Sequence, residues 1–290
     1  MRLREIIIEK AFFLCALLSI LITVGIIFVL LIDTIDFFQE VSFFDFITDS
    51  KWTPMFKDKH FGIAPLLAGT LLTTLTAIIV ALPIGLSIAI YLNEFAPKAF
   101  RKRIKPALEL LAAIPTVVYG FFALTVVTPF LKQYIDIDSF NALSAGIVMG
   151  IMIIPYVSSI SEDALYAVPK SLREAAYGMG STRLQTAFKV TIPAASSGII
   201  VSVILAISRA IGETMIVAIA AGQKPTLTMD PTETIATITS YIVQVTVGDV
   251  EHGSIEYKSL FAAGMTLFLF TFILNNISYF VKKKYQEKYD

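Results

Sequence analysis

Five stretches of the chain, residues 11–32, 61–93, 110–131, 139–161 and 259–281, contain no Asp, Glu, Lys or Arg. Each is at least as long as the roughly 20 residues of helix that cross a hydrocarbon core. Inside a bilayer every backbone polar group must be satisfied within the protein, so runs of this length predict membrane-spanning helices. A sixth span is expected from about Ala195 to Ala221, uncharged at first and then interrupted by Arg209 and Glu213. With 56% of 290 residues hydrophobic and 16% charged, the chain lies far from the balance of a soluble domain. The expected fold class is all-α, a polytopic membrane protein with six transmembrane helices.

The first apolar run follows a basic start, MRLREIIIEK, as a secretory signal would. It is too long for a signal and no small-x-small site follows it, so it reads as a retained anchor. Cys15 is the sole cysteine, which excludes an intramolecular disulfide. His60 and His252 are too few and too far apart in sequence to suggest a metal site. Six spans leave seven flanking segments. The alternate set 1–10, 94–109, 162–189 and 282–290 holds sixteen Lys and Arg, and the set 33–60, 132–138 and 224–258 holds six. By the positive-inside bias both termini and the 162–189 loop are expected in the cytoplasm. The organisation expected is an N-terminal membrane anchor helix with an external segment over residues 1–60, and a core over 61–290 that carries the cytoplasmic loop 162–195.

That loop contains EAAYGMGSTRLQTAFKVTIP at 174–193. Ser171 and Glu174 have the spacing of a capping box, so a first short helix is expected from near Leu172. Gly178 and Gly180 should stop it. Ser181 or Thr182 can cap a second helix over Arg183 to Phe188, before Pro193 ends the excursion. A hairpin that merely connects two spans would look similar. A helix-turn-helix reader is disfavoured, because four basic residues clamped between two spans offer little charge or room to a duplex; no nucleic-acid partner is expected.

The pattern Glu174-Ala175-Ala176, three residues, Gly180, nine residues, Val190-x-Ile192-Pro193 resembles the EAA loop of the ABC-importer permeases, with Val190 and Ile192 in place of that family's Ile and Leu. The resemblance implies a MetI-like permease core. It also implies that Glu174, Ala175, Ala176, Gly180, Arg183 and Leu184 couple this chain to a cytoplasmic ATPase. ATP and Mg would be bound by that partner, with no cofactor in this chain. Three further segments, SRAIGETM at 208–215, IPTVVYG at 114–120 and SLFAAGMTLFLFTFILN at 259–275, are similar to segments of the family's phosphate permeases. This likeness implies a second, homologous permease subunit as partner, most simply in a heterodimer, an external phosphate-binding protein, and a multi-pass location in the inner or plasma membrane of a prokaryote.

An oxyanion crossing hydrocarbon needs fixed positive charge or donors along its path. Arg209 is the only basic residue inside a predicted span, about 14 residues or ~21 Å along its helix. Glu213 follows at i+4, within reach of a helical ion pair. Each charge costs about 2.5–3.5 kcal/mol at the membrane centre on insertion scales, so neither should face lipid. Two readings stay open: a buried salt bridge that locks the helix, or an Arg209 that meets the anion while Glu213 orients it. Candidate path residues are Arg209, Glu213, Ser208, Thr116 and Tyr119. Thr70, Thr73, Thr74 and Thr76 can line a path or bond their own backbone. Ile235, Ile238, Ile242 and Val245 predict an amphipathic helix on the outside, as a lid, as a platform for a substrate-delivering protein, or packed on the bundle's own end. The sequence has no G-x-x-x-x-G-K-[ST], H-E-x-x-H or G-x-S-x-G, so a translocation subunit rather than an enzyme is expected. Permeases for sulfate, molybdate or phosphonate, and a secondary transporter driven by an ion gradient, remain as alternatives.

Overall fold

The computed structural model describes residues 2–285. The chain enters as α1 (Arg2–Glu40), continues through α2 (Phe43–Thr48), and descends in α3 (Ala64–Ile90), which passes into a π-helical turn at Tyr91–Phe95. Next comes α4 (Lys98–Ala113), then α5 (Thr116–Phe122), a second π-helical turn at Ala123–Val127, and α6 (Thr128–Leu131). α7 (Ala142–Tyr166) leads to the EAA loop, which holds α8 (Lys170–Gly178), α9 (Arg183–Thr186), a third π-helical turn at Ala187–Thr191, and α10 (Ile192–Ala194). α11 (Ser196–Ile211), α12 (Met215–Ala220), α13 (Ile238–Val247) and α14 (Ile255–Tyr285) complete the fold. Among the described residues four helices are long and apolar enough to span a membrane unbroken, and two sharply bent pairs, each taken as one span, bring the number up to six. The all-α, six-span expectation therefore holds. The termini, assigned to one side by their basic residues, run outside the described residues at 1 and 286–290.

Two expected spans are not single helices. The run 110–131 divides at Ile114 and Pro115, where α4 meets the following helix at 83°. A residue before proline is driven out of the helical region, and Ile114 has ψ 130°. The charged stretch 98–109, expected as a loop, is thus the body of an additional helix. The run Ala195–Ala221 is likewise broken at Gly212–Thr214. Non-helical backbone at that depth must find partners inside the protein. Here Thr239 Oγ1 donates to the carbonyl of Glu213 at 2.7 Å, and the Glu213 carboxylate accepts from the amides of Met215 at 3.2 Å and Ile216 at 3.4 Å.

The core is built where α3 crosses α7. Ala77, Ala81, Ala142, Ala145, Val148 and Met149 are fully buried there. Gly146 and Gly150 on α7 let the backbones meet: a Cβ on Gly146 would stand 2.5 Å from Thr76 Cβ, and one on Gly150 2.8 Å from the Ala77 carbonyl oxygen. This is the small-x-x-x-small device of membrane helices, in which close approach replaces a hydrophobic driving force. Ser161 and Ser202 hydroxyls, 2.8 Å apart, tie α7 to α11. Thr70, Thr73 and Thr76 of α3 donate to the carbonyls of Leu66, Gly69 and Leu72 in their own helix, Thr70 also accepts from the amide of Ile238, and the buried Thr74 hydroxyl makes no hydrogen bond.

At the end away from the EAA loop, a second apolar cluster joins Phe37, Phe46, Trp52 and Leu66 to Ile238, Tyr241, Val245 and Ala263. The amphipathic helix foreseen around Ile238 is α13, with its apolar face packed on the bundle's own end; Ile235 precedes it and is buried too. Ion pairs Lys59–Glu256 and Lys258–Glu40 fasten the outer segments to α14. Beside them, a 2.7 Å hydrogen bond to Asp49 raises the pKa of His60.

Candidate functional site

The EAA loop is ordered by its own caps. α8 starts at Lys170, with Pro169 as its N-cap, two residues ahead of the expected start. Ser171 therefore lies inside the first turn and forms no capping box with Glu174, and no side chain caps the start of α8. The exit does need glycine. Gly180 has φ +85°, the left-handed conformation that ends a helix, and the amide of Ser181 reaches back to the carbonyl of Ala176 at 3.0 Å. Thr182, one of the two foreseen caps, opens α9 in a complete capping box with Gln185.

Glu174, Ala175, Gly180, Arg183 and Leu184 are exposed and Ala176 is half-buried. Sequence reasoning passed over their apolar neighbours: Tyr177, Met179 and Phe188 are also exposed, Met179 to 87%. Contiguous exposed apolar side chains are a general mark of contact surfaces. Arg173 anchors that surface to the bundle. Its Nη2 donates to the carbonyl of Leu165 at the end of α7 at 2.6 Å and lies 3.5 Å from the Glu94 carboxylate in the π-helical turn that follows α3.

Within the bundle, a cavity of about 240 Å³ runs between α4 and α7, from the middle of α7 toward its EAA-loop end. Lys105 and Glu109 of α4, Tyr156, Ser158, Ser159 and Glu162 of α7, and Arg209 of α11 supply its polar lining. Glu162 is 2% exposed at its side chain and is paired with Arg101 and Lys105 of α4. The Arg209 guanidinium is exposed to the cavity and stands 5.7 Å from the centre of the Tyr156 ring, a cation–π distance.

The i+4 ion pair expected between Arg209 and Glu213 is absent. α11 ends at Ile211, so Glu213 leaves the helical face that would present it to Arg209 and caps α12 instead. Among the described residues Arg209 forms no salt bridge. Of the other candidates, Ser208 donates to Asn275 on α14 at 3.4 Å, and the Tyr119 hydroxyl donates to the Leu111 carbonyl at 2.8 Å across the α4–α5 bend. Thr116 opens α5, half-buried. None of these three, nor Glu213, belongs to the cavity lining. Lys105 and Glu162 were missed because the first sat in an expected loop and the second at a span boundary.

The architecture is a membrane bundle with a charged chamber and an exposed helical hairpin of EAA pattern. The profile of the family described as binding-protein-dependent transport system inner membrane component matches residues 81–287, and the chain belongs to that family, the permeases of ABC importers. Its relatives narrow the comparison. The probable ABC transporter permease protein YqgH of Bacillus subtilis (strain 168) is 37% identical over 262 residues, covering 89% of this chain and 84% of that protein. The phosphate transport system permease protein PstC of Mesorhizobium japonicum is 35% identical over 251 residues, covering 80% and 76%. Among solved structures, the inward-facing MetNI methionine ABC transporter shares the fold at 17% identity with TM-score 0.56, over 76% of this chain and 94% of its own. A bacterial alginate ABC transporter in complex with an alginate-loaded periplasmic protein does so at 18% identity and TM-score 0.56, over 89% and 96%.

Proposed function

We propose that the chain forms part of the transmembrane path for inorganic phosphate in an ATP-driven importer. A homologous permease subunit completes the path, a cytoplasmic ATPase carrying ATP and Mg docks on the EAA loop, and an external phosphate-binding protein delivers the substrate. The EAA loop then faces the cytoplasm of a prokaryotic cell, in agreement with the distribution of Lys and Arg. The observation that carries this reading is Arg209: a guanidinium inside a membrane span, without a carboxylate partner among the described residues, open to a chamber that it shares with Lys105, the hydroxyls of Tyr156, Ser158 and Ser159, and the carboxylates of Glu109 and Glu162. A charge left unpaired in the bilayer marks a substrate path or a water-filled cavity. A guanidinium fork matches the geometry of a tetrahedral oxyanion. The break at Gly212–Thr214, close after Arg209, is the kind of helix interruption found at transporter binding sites.

Alternating access is explained if closure of the ATPase pulls the α8–α9 hairpin, because Arg173 links that hairpin to the π-helical turn that follows α3 and to the end of α7. Gly180→Leu tests the docking role. A Cβ at Gly180 would meet nothing within 4 Å, so a leucine there acts through the backbone strain of φ +85° and not through bulk. That costs about 1–2 kcal/mol and reshapes the helix end, so ATPase retention and uptake should fall at least about ten-fold while the subunit still inserts. Wild-type ATPase retention in Gly180→Leu would refute the docking assignment.

Substrate class is tested in vesicles reconstituted with the complete importer. Uptake of labelled phosphate should be suppressed by unlabelled phosphate and left intact by equal sulfate, molybdate or phosphonate. Equal competition by any of the three would overturn the phosphate reading.

A further inference from the structure

Glu162 on α7 is paired with two cations of α4, and one of them faces the chamber. Arg101 and Lys105 reach it from successive turns of α4. They are not held equally. The Arg101 guanidinium is fixed twice, by the carboxylate and over the Tyr166 ring at 5.1 Å. Lys105 Nζ stands 3.4 Å from Glu162 and 3.5 Å from the exposed carboxylate of Asp163, both longer than the 2.7–2.9 Å typical of a tight charge-assisted bond. It lines the same chamber as Arg209. If Lys105 swings away, Arg101 remains on Glu162, so no buried carboxylate is stranded without a partner. The chamber's other carboxylate, Glu109, is exposed and screened by water.

We propose that Lys105 is the second cation of the anion site: it leaves Glu162 and Asp163 to bind an oxygen of the tetrahedral oxyanion that Arg209 holds. This rests on the reading of Arg209 as the path residue. A flexible four-carbon stem and a compact ammonium suit a group that exchanges one carboxylate partner for a passing anion, whereas Arg101 is the static member that keeps α4 on α7.

The test is equilibrium dialysis of labelled inorganic phosphate against the purified importer without its binding protein. Lys105→Gln should weaken phosphate binding about ten-fold, the worth of one hydrogen bond to a charged group, at an unchanged yield of complex, and Lys105→Arg should stay within about three-fold of wild type. If Arg209→Gln loses binding and Lys105→Gln does not, the assignment of Lys105 fails alone; if Arg209→Gln binds normally, the underlying path reading fails. A structural role for Lys105 would lower the yield and leave affinity unchanged, which also refutes the proposal. Should Lys105→Gln fail to assemble, the wild-type complex decides: phosphate, but not chloride, should slow amine labelling of Lys105 several-fold in peptide mass spectrometry, and equal rates would overturn the proposal.

Discussion

The Arg209→Gln importer is expected to assemble at the wild-type level and take up no phosphate above background. Arg209 has no ion pair to lose among the described residues, and its guanidinium is exposed. Its removal therefore strands no buried carboxylate, and the structural penalty of breaking a buried pair, about 3–5 kcal/mol, does not arise. Glu213→Gln should be milder, because an amide oxygen can still accept from the Met215 and Ile216 amides that the carboxylate now holds. The double variant carries the sharpest information. Were the two residues a structural pair, removing both charges would restore neutrality and much of the activity. With Glu213 capping α12 instead, the double change should be as inactive as Arg209→Gln, with an interaction energy near zero. Uptake normalised to assembled complex decides this, and recovery in the double variant would contradict the anion-contact role. Arg209→Lys should keep partial uptake, since the charge survives while the fork is lost.

Gly150→Leu should all but eliminate the assembled subunit. The leucine Cβ would lie 2.8 Å from both the Ala77 carbonyl oxygen and Val80 Cβ on α3, and the first of these is backbone that cannot turn aside. Separating α3 from α7 would open the contact on which Ala77, Val148 and Met149 depend for their burial. Overpacking of about 3 kcal/mol or more would leave membrane content of the complex down at least ten-fold. Ile151→Leu, a volume-conserving change at the neighbouring half-buried position, should remain near wild type. Equal amounts of the two variants in the membrane fraction would remove the α3–α7 contact from its place at the centre of the fold.

The four unbroken spans could be read directly from the chain, because a bilayer demands long uncharged helices and little else produces them. The EAA hairpin was legible as well: Gly180 and Thr182 work locally, through φ and through a cap, and local devices leave a signature in sequence. α4 was overlooked because the charges between Lys98 and Glu109 outweighed a pattern that was present, Phe100, Ile104, Leu108 and Leu111 recurring at four- and three-residue spacing. The GIVMG segment of α7 likewise carried its small-x-x-x-small spacing in plain sight. The break after Ile211 had no such signature. Gly212 alone does not end a membrane helix, and the interruption persists because Thr239, 26 residues downstream, comes back to satisfy the Glu213 carbonyl. Spacing suggested an Arg209–Glu213 pair, and only that long-range bond explains why the two residues part. The Lys105, Glu162 and Arg209 chamber was hidden for the same reason, since three helices distant in sequence build it.

Labelled phosphate uptake into vesicles that hold the complete importer distinguishes passage of phosphate under ATP power from passage under an ion gradient. ATP is sealed inside with the ATPase, and the loaded phosphate-binding protein is supplied outside. Uptake is expected to require internal ATP, to persist when proton and sodium gradients are collapsed, and to disappear with Arg209→Gln. Uptake that proceeds without ATP and stops when a gradient is collapsed would overturn the assignment as an ATP-driven importer.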